Sequence, residues 1–258
     1  MSSVPNVVVH RDAEVLANAV AARIITRLVD AQAAKGSAHL VLTGGTVGIA
    51  TLAAIAATPA RDAVDWRRLD VWWGDERFLP TGDPERNETG ARGALLDHVD
   101  LDPSRVHVML GPDSGLSAEE SADAYATELA KAARPEDHGP VPSFDVLLLG
   151  MGPDSHVASL FPGMPALYDT RPVVSVHGSP KPPPTRISLT LPAIQAAREV
   201  WVVASGEEKA GAVRLALADS GPVQVPAAGA RGRSRTLFLL DRASATKIPP
   251  GLGRIASP

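Results

Sequence analysis

Apolar residues recur along this chain in two alternating rhythms. Over residues 12–34, Leu16, Val20, Ile24 and Leu28 share one helical stripe, with Asp12 placed as the cap and Gly36 as the stop. Residues 39–42 form a short apolar run that reads as a buried strand and ends in Thr43-Gly44-Gly45; residues 46–57 then read as an Ala-rich helix. The same alternation continues. Strands are predicted over 69–73, 105–109, 144–149, 172–176, 186–191, 200–204 and 236–240, and helices over 87–98, 117–133 and 205–217. Ser117 followed three residues later by Glu120 has the spacing of a capping box. The stretches 179–184 and 221–235 are rich in Pro, Gly and Ala and read as loops, the second as a mobile one. Continuous apolar strands alternating with helices predict an α/β fold, a mostly parallel sheet covered by helices on both faces.

Composition narrows the class. The chain has 258 residues, 45% hydrophobic and 21% charged, which suits an ordinary soluble globule with a sizeable core. Aromatics are only 4%, so that core must rest on Ala, Val, Leu and Ile. With no cysteine, disulfides and Cys-ligated metals are excluded, and a reducing cytosol is the fitting compartment. A formal net charge of −4 argues against a nucleic-acid partner and means that any anion site must be locally positive. Residues 1–10 lack the pattern of a signal peptide, and runs such as 146–149 and 200–204 are too short to cross a bilayer. The expectation is a cytoplasmic protein, residues 1–258 forming one α/β domain, with no membrane partner; the sequence names no protein partner.

Ligands of open α/β sheets bind beyond the carboxyl ends of the strands, so the residues that follow each strand carry the candidate chemistry. Gly44 and Gly45 between a strand and a helix can expose backbone N–H groups to an anion, or simply form a tight turn. No Gly-Lys-Ser/Thr follows, so this is not a Walker A loop. Gly150-Met151-Gly152 follows the clearest strand, but Ser155 stands where a third dinucleotide-binding glycine would, which sets NAD aside. His156 is expected near a helix start, where the dipole keeps an imidazole neutral and available as a base; a packing histidine is the competing reading. In Asp75-Glu76-Arg77, Asp75 and Arg77 can turn inward with Glu76 elsewhere, or the three can form a surface salt-bridge cluster. Lys209 near the first turn of its helix suggests an anionic partner, or a solvated lysine. The histidines show no HxH or HExxH spacing, and no Gly-x-Ser-x-Gly elbow is present. No metal and no cofactor are expected.

Taken together, these strand ends resemble the 6-phosphogluconolactonase family over nearly the whole chain. Residues 150–163 resemble its G-x-G-x-D-G-H-x-x-S-L-F-P segment, and Asp75-Glu76-Arg77 with Asp83 and Asn87 resembles its D-E-R…D-x-x-S-N. Thr43 to Gly48, Arg186 to Pro192 and Gly206 to Ala210 fall in family order. Ser155 replaces the usual glycine before the histidine, Arg86 the usual serine before Asn87, and Val47-Gly48 the usual Thr-Pro. The resemblance implies a fold related to glucosamine-6-phosphate deaminase and ribose-5-phosphate isomerase. It also implies metal-independent hydrolysis of a sugar-phosphate lactone, 6-phospho-D-glucono-1,5-lactone. His156 would be the base, oriented by Asp154 or Asp75. Arg77 or the N–H groups of the 150–152 turn would meet the oxyanion. Gly44, Gly45, Thr46, Arg186 and Lys209, with Arg77 as a further ligand, would hold the phosphate. Two alternatives stay open: a deaminase or isomerase of the same fold, disfavoured because Ser159-Leu160-Phe161-Pro162 offers no acid, and a non-catalytic sugar-phosphate sensor.

Overall fold

The computed structural model describes residues 3–218 and 220–255. In chain order its strands are β1 (Pro5–His10), β2 (Ala38–Leu42), β3 (Leu69–Trp73), β4 (Asp75–Arg77), β5 (Val146–Gly150), β6 (Val173–Val176), β7 (Arg186–Leu189), β8 (Glu199–Ala204), β9 (Arg235–Asp241) and β10 (Gly253–Ile255). The α-helices are α1 (Ala13–Lys35), α2 (Gly45–Ala57), α3 (Asn87–Ala94), α4 (Ala118–Ala132), α5 (Leu191–Gln195), α6 (Ala210–Leu217) and α7 (Pro226–Gly229). Seven strands form one parallel sheet in the order β10-β1-β9-β8-β5-β2-β3, and β4-β7-β6 form a small antiparallel sheet beside it.

Strand alternation divides the core in two. Val146 and Leu148 of β5 face a cluster that holds the α1 stripe, while Leu147 and Leu149 face one shared with α4, α6 and the small sheet. Leu16, Val20, Ile24 and Leu28 are fully buried. At roughly 1.5–3 kcal/mol each, they contribute on the order of 6–12 kcal/mol before entropy is charged. The Asp12 carboxylate accepts from Val15 N–H at 2.9 Å, and Gly36 ends α1 in the left-handed region at φ 81°. The Ser117–Glu120 capping box is present at the start of α4.

Several expectations are corrected. Residues 105–109 are not a strand: a single bridge joins Val106 to Val71, and the segment is turned by the side chains of Arg105 and His107, which both reach Asp70 at 2.8 and 3.1 Å. The 87–98 helix breaks at Leu95 into a 3-10 turn, and β7 stops at Leu189, where Pro192 opens α5. The predicted 205–217 helix begins as a 3-10 turn over Glu207–Lys209. Residues 221–235 are no open loop, because Val225, Pro226, Ala227, Gly229 and Ala230 are buried and Ala227 N–H donates to the Ser155 carbonyl at 3.1 Å. The predicted α/β class, a mostly parallel sheet covered by helices, is borne out, with the small antiparallel sheet as an addition beside it.

The strand order reverses at β2 and β5. From β2 the chain steps outward to β3; from β5 it steps the other way through β8 to β9. A crevice therefore opens where the segments after β2 and β5 part, the usual ligand position in open sheets.

Candidate active site

A cavity of about 420 Å³ occupies that crevice, within the size range of small-molecule sites. Gly44, Gly45, Thr46, Asp75, Arg77, His156, Arg186 and Lys209 all line it. Asp154 does not; it stands behind His156, with its carboxylate 2.6 Å from Nδ1.

The segment after β5 is bent into place rather than helical. Gly152 carbonyl accepts from Ser155 N–H at 2.9 Å, and bridges join Met151 to Val157 and Val157 to Leu160. Ser155 (φ 70°) and Ala158 (φ 48°) have backbones that a right-handed helix does not accept. His156 is thus not at a helix start, and the dipole argument fails. Burial pulls the imidazole below its usual value instead, with the Asp154 carboxylate opposing. Burial works against the Asp154 carboxylate as well, but the hydrogen bond and charge of His156 outweigh it and leave its pKa lowered. At neutral pH the pair is a neutral imidazole on a carboxylate, with Nδ1 engaged and Nε2 left over. Gly152 is required by packing, because a Cβ there would lie 2.0 Å from His156 Nδ1. Phe161 covers the ring from one side, its centroid 4.5 Å away, and the Arg186 guanidinium lies 5.8 Å over the same phenyl ring.

The segment after β2 is braced by its neighbours. Thr43 Oγ1 accepts from Gly150 N–H at 3.0 Å, tying the two strand ends together. A Cβ at Gly44 would fall 1.9 Å from Asn87 Oδ1. Asn87 Nδ2 donates to the Asp75 carbonyl at 2.9 Å and to its carboxylate at 3.3 Å. The other Asp75 oxygen accepts from Ser159 Oγ at 2.7 Å. Asp75 is therefore held by Asn87 and Ser159 and makes no hydrogen bond to His156.

Glu76 points the other way, into the protein. It accepts from the N–H groups of Arg77, Asn87 and Glu88 at 2.8, 2.7 and 2.8 Å and so caps α3. Burial pushes its carboxyl up to about 7, against the pull of those donors and of Arg86. Arg86 is itself buried, pairing with Glu88 at 2.9 Å and donating to the Leu79 and Met109 carbonyls. This arginine is an internal strut for the Asp75–Asn87 segment. The buried strut and the strand pairing of β4 with β7 overturn the surface-cluster reading of residues 75–77.

Arg186 gives hydrogen bonds to the carbonyls of Lys181, Pro182 and Pro183 at 3.1, 3.0 and 3.2 Å. It thereby presses the 179–184 loop against the cavity, and Lys181 joins the lining. Asn87 belongs to the family segment already noted but without a role there, and nothing in that resemblance marks Lys181. A lysine inside a Pro-stiffened loop, just ahead of a strand that begins with arginine, was the available signal. Lys209 follows Gly206, whose N–H is held by the Asp241 carboxylate at 3.2 Å. Burial lowers the Lys209 ammonium, and the nearby Lys181 charge adds to this. Of the N–H groups expected for an oxyanion, two are taken: Gly150 donates to Thr43 Oγ1, and Gly152 to the His156 carbonyl at 2.9 Å. Among the described residues no group of three or more His, Asp or Glu could hold a metal ion, and no helix is long and apolar enough to cross a membrane.

Comparison with known proteins fits this geometry. The family described as Glucosamine-6-phosphate isomerases/6-phosphogluconolactonase matches residues 11–239. A 6-phosphogluconolactonase of Streptomyces coelicolor is 64% identical over 255 residues, 98% of each chain. That of Mycobacterium tuberculosis is 48% identical over 92% of this chain and 96% of its own. The solved 6-phosphogluconolactonase of Trypanosoma brucei superposes with a TM-score of 0.78 at 29% identity, covering 96% of this chain and all of that one. A monomeric glucosamine-6-phosphate deaminase shares the fold at TM-score 0.76 and 22% identity. With its parallel sheet, its crevice at the strand reversal and a family match over most of its length, the chain belongs to the glucosamine-6-phosphate isomerase/6-phosphogluconolactonase family.

Proposed function

We propose that this protein hydrolyses 6-phospho-D-glucono-1,5-lactone to 6-phospho-D-gluconate, as a cytoplasmic enzyme of the oxidative pentose phosphate pathway. The reading treats residues 1–258 as one domain, because both core clusters pack on one seven-stranded sheet. The observation that carries it is a neutral, Asp154-oriented imidazole in a cavity lined with cations. A δ-lactone is an activated ester, so a water and a general base suffice and no covalent nucleophile is needed.

His156 Nε2 takes a proton from water as the water oxygen bonds to C1, and the carbonyl π pair moves onto its oxygen. Asp154 fixes the tautomer through Nδ1 and stabilises the imidazolium that forms. The oxygen pair then returns, the C1–ring oxygen bond breaks, and His156 gives its proton to the departing oxygen. The acid product loses its proton to solvent. Gly44, Gly45 and Thr46 at the start of α2 supply N–H groups and dipole for the phosphate. Lys209 and Arg186 supply charge, with Arg77 beside them. The deaminase alternative would need a carboxylate base at the substrate; of the two acids in the lining, Asp75 and Glu208, the one beside His156 on the β4 segment, Asp75, is already held by Asn87 and Ser159.

The test is a coupled assay in which the lactone is generated from glucose 6-phosphate and acid release is followed. Acceleration well above the uncatalysed blank is expected. Release at the blank rate would overturn the reading.

A further inference from the structure

We propose that Lys181 is the electrophile of this site, its ammonium facing the C1 carbonyl oxygen as negative charge grows there. The proposal rests on the lactonase reading above and adds a catalytic residue to it.

The growing charge needs donors preorganised where it develops. The turn after β5 does not provide them at Gly150 and Gly152, whose N–H groups already serve Thr43 and the His156 carbonyl. Arg77 gives one guanidinium N–H to the Glu85 carbonyl. Lys181 lines the same cavity with its ammonium uncommitted. Its charge acts on His156, the proposed base, and also on Lys209. Its ammonium has no hydrogen bond or ion pair among the described residues. Two unpaired lysines that feel each other across one cavity repel until an anion lies between them.

The loop that carries Lys181 is fastened at both ends. Arg186 holds the carbonyls of Lys181, Pro182 and Pro183. Ser179 Oγ donates to the Lys181 carbonyl at 2.9 Å, and Ser179 N–H donates to the Pro184 carbonyl at 3.0 Å. A cation on such a loop needs little reorganisation as the reaction proceeds, which is the condition for strong electrostatic stabilisation. Lys181 transfers no proton in this scheme. It stabilises the oxyanion while the water–C1 bond is formed, and the electron pair returns as the ring C–O bond breaks.

The test compares Lys181→Met and Lys181→Arg with the unaltered enzyme on 6-phosphogluconolactone across pH. Removing one oxyanion donor costs about 10²–10³ in kcat, so Lys181→Met should lose that much with KM little changed. Asp154, Lys181 and Asp75 are the charges that act on His156. Without the lysine an imidazolium is easier to form, so the acid limb of kcat/KM should move to higher pH. Lys181→Arg should restore most of kcat and the position of the limb. A Lys181→Met enzyme with full kcat and a raised KM would make Lys181 a phosphate ligand and overturn the proposal. A fall in kcat with an unmoved limb would overturn it too, by reducing Lys181 to a shape requirement. Should the unaltered enzyme not accelerate hydrolysis, the lactonase reading itself falls, and that outcome is distinct from the other two.

Discussion

Two aspartate–histidine arrangements sit at opposite ends of the parallel sheet, and only one can do chemistry. At the amino end, His39 Nδ1 accepts from Trp72 Nε1 at 3.3 Å and Nε2 lies 3.8 Å from Asp70. That carboxylate also meets Arg105 and His107, and the His107 ring stacks on Trp72 at 3.7 Å. At the carboxyl end, Asp154 engages Nδ1 of His156 and leaves the other nitrogen with the cavity. Burial pulls both imidazoles below their usual value. What separates them is not basicity but a spare nitrogen beside an opening. The amino-end histidine is spent on packing and hydrogen bonds; the carboxyl-end histidine is only half spent.

The contrast breaks most sharply at His156. His156→Ala should lower kcat by about 10²–10⁴, the usual worth of a general base, with KM nearly unchanged. Steady-state kinetics with the spontaneous rate subtracted decides it, and an unchanged kcat would erase the distinction between the two ends. The pH profile is the next probe. A base whose pKa is lowered stays deprotonated to lower pH, so kcat/KM should hold through neutrality and fall along an acid limb centred below 6.5. A limb at or above 6.5 would mean that burial does not dominate at His156.

His39→Phe should leave kcat alone but orphan the buried Trp72 N–H, at a cost of about 1–3 kcal/mol in urea unfolding. In the folded protein His39 also resists protonation, so its contribution is complete above pH 6.5 and is lost as pH falls through its lowered folded value. The variant's deficit should therefore shrink in acid. The smallest effect is expected at Ser155, which carries a Cβ at φ 70°. Ser155→Gly relieves that strain but frees the unfolded chain, for a net gain of up to about 1 kcal/mol. A loss of stability on thermal unfolding would show that the serine side chain does more than tolerate the turn.

Much of the fold is written in local pattern. The α1 stripe with its caps, β3 over residues 69–73 and the capping box of α4 follow from side-chain spacing alone, because burial on one face imposes it. Where long-range contacts decide, the pattern misleads. Asp75-Glu76-Arg77 has no apolar residue, yet pairing with β7 makes it a strand and Arg86 makes its middle carboxylate buriable. Val106 and its neighbours look like a strand, but Asp70 captures their polar side chains. The strand ends that form the cavity were legible as Gly-rich breaks after apolar runs. The environment of His156 was not, since a left-handed Ser155 and a buried 225–230 segment are tertiary facts. Lys181 was hidden for the same reason: only the bonds from Arg186 bring its loop to the cavity.

The contact of Gly44 with Asn87 has a consequence for heredity. The two positions lie 43 residues apart in the chain, yet the amide oxygen of one occupies the volume where a methyl group on the other would stand. Neither can accept enlargement while its partner is intact, and shrinking Asn87 alone removes the clamp on Asp75. The pair should drift as a unit. In a library randomised at both codons and selected for turnover, surviving changes should arrive together or not at all.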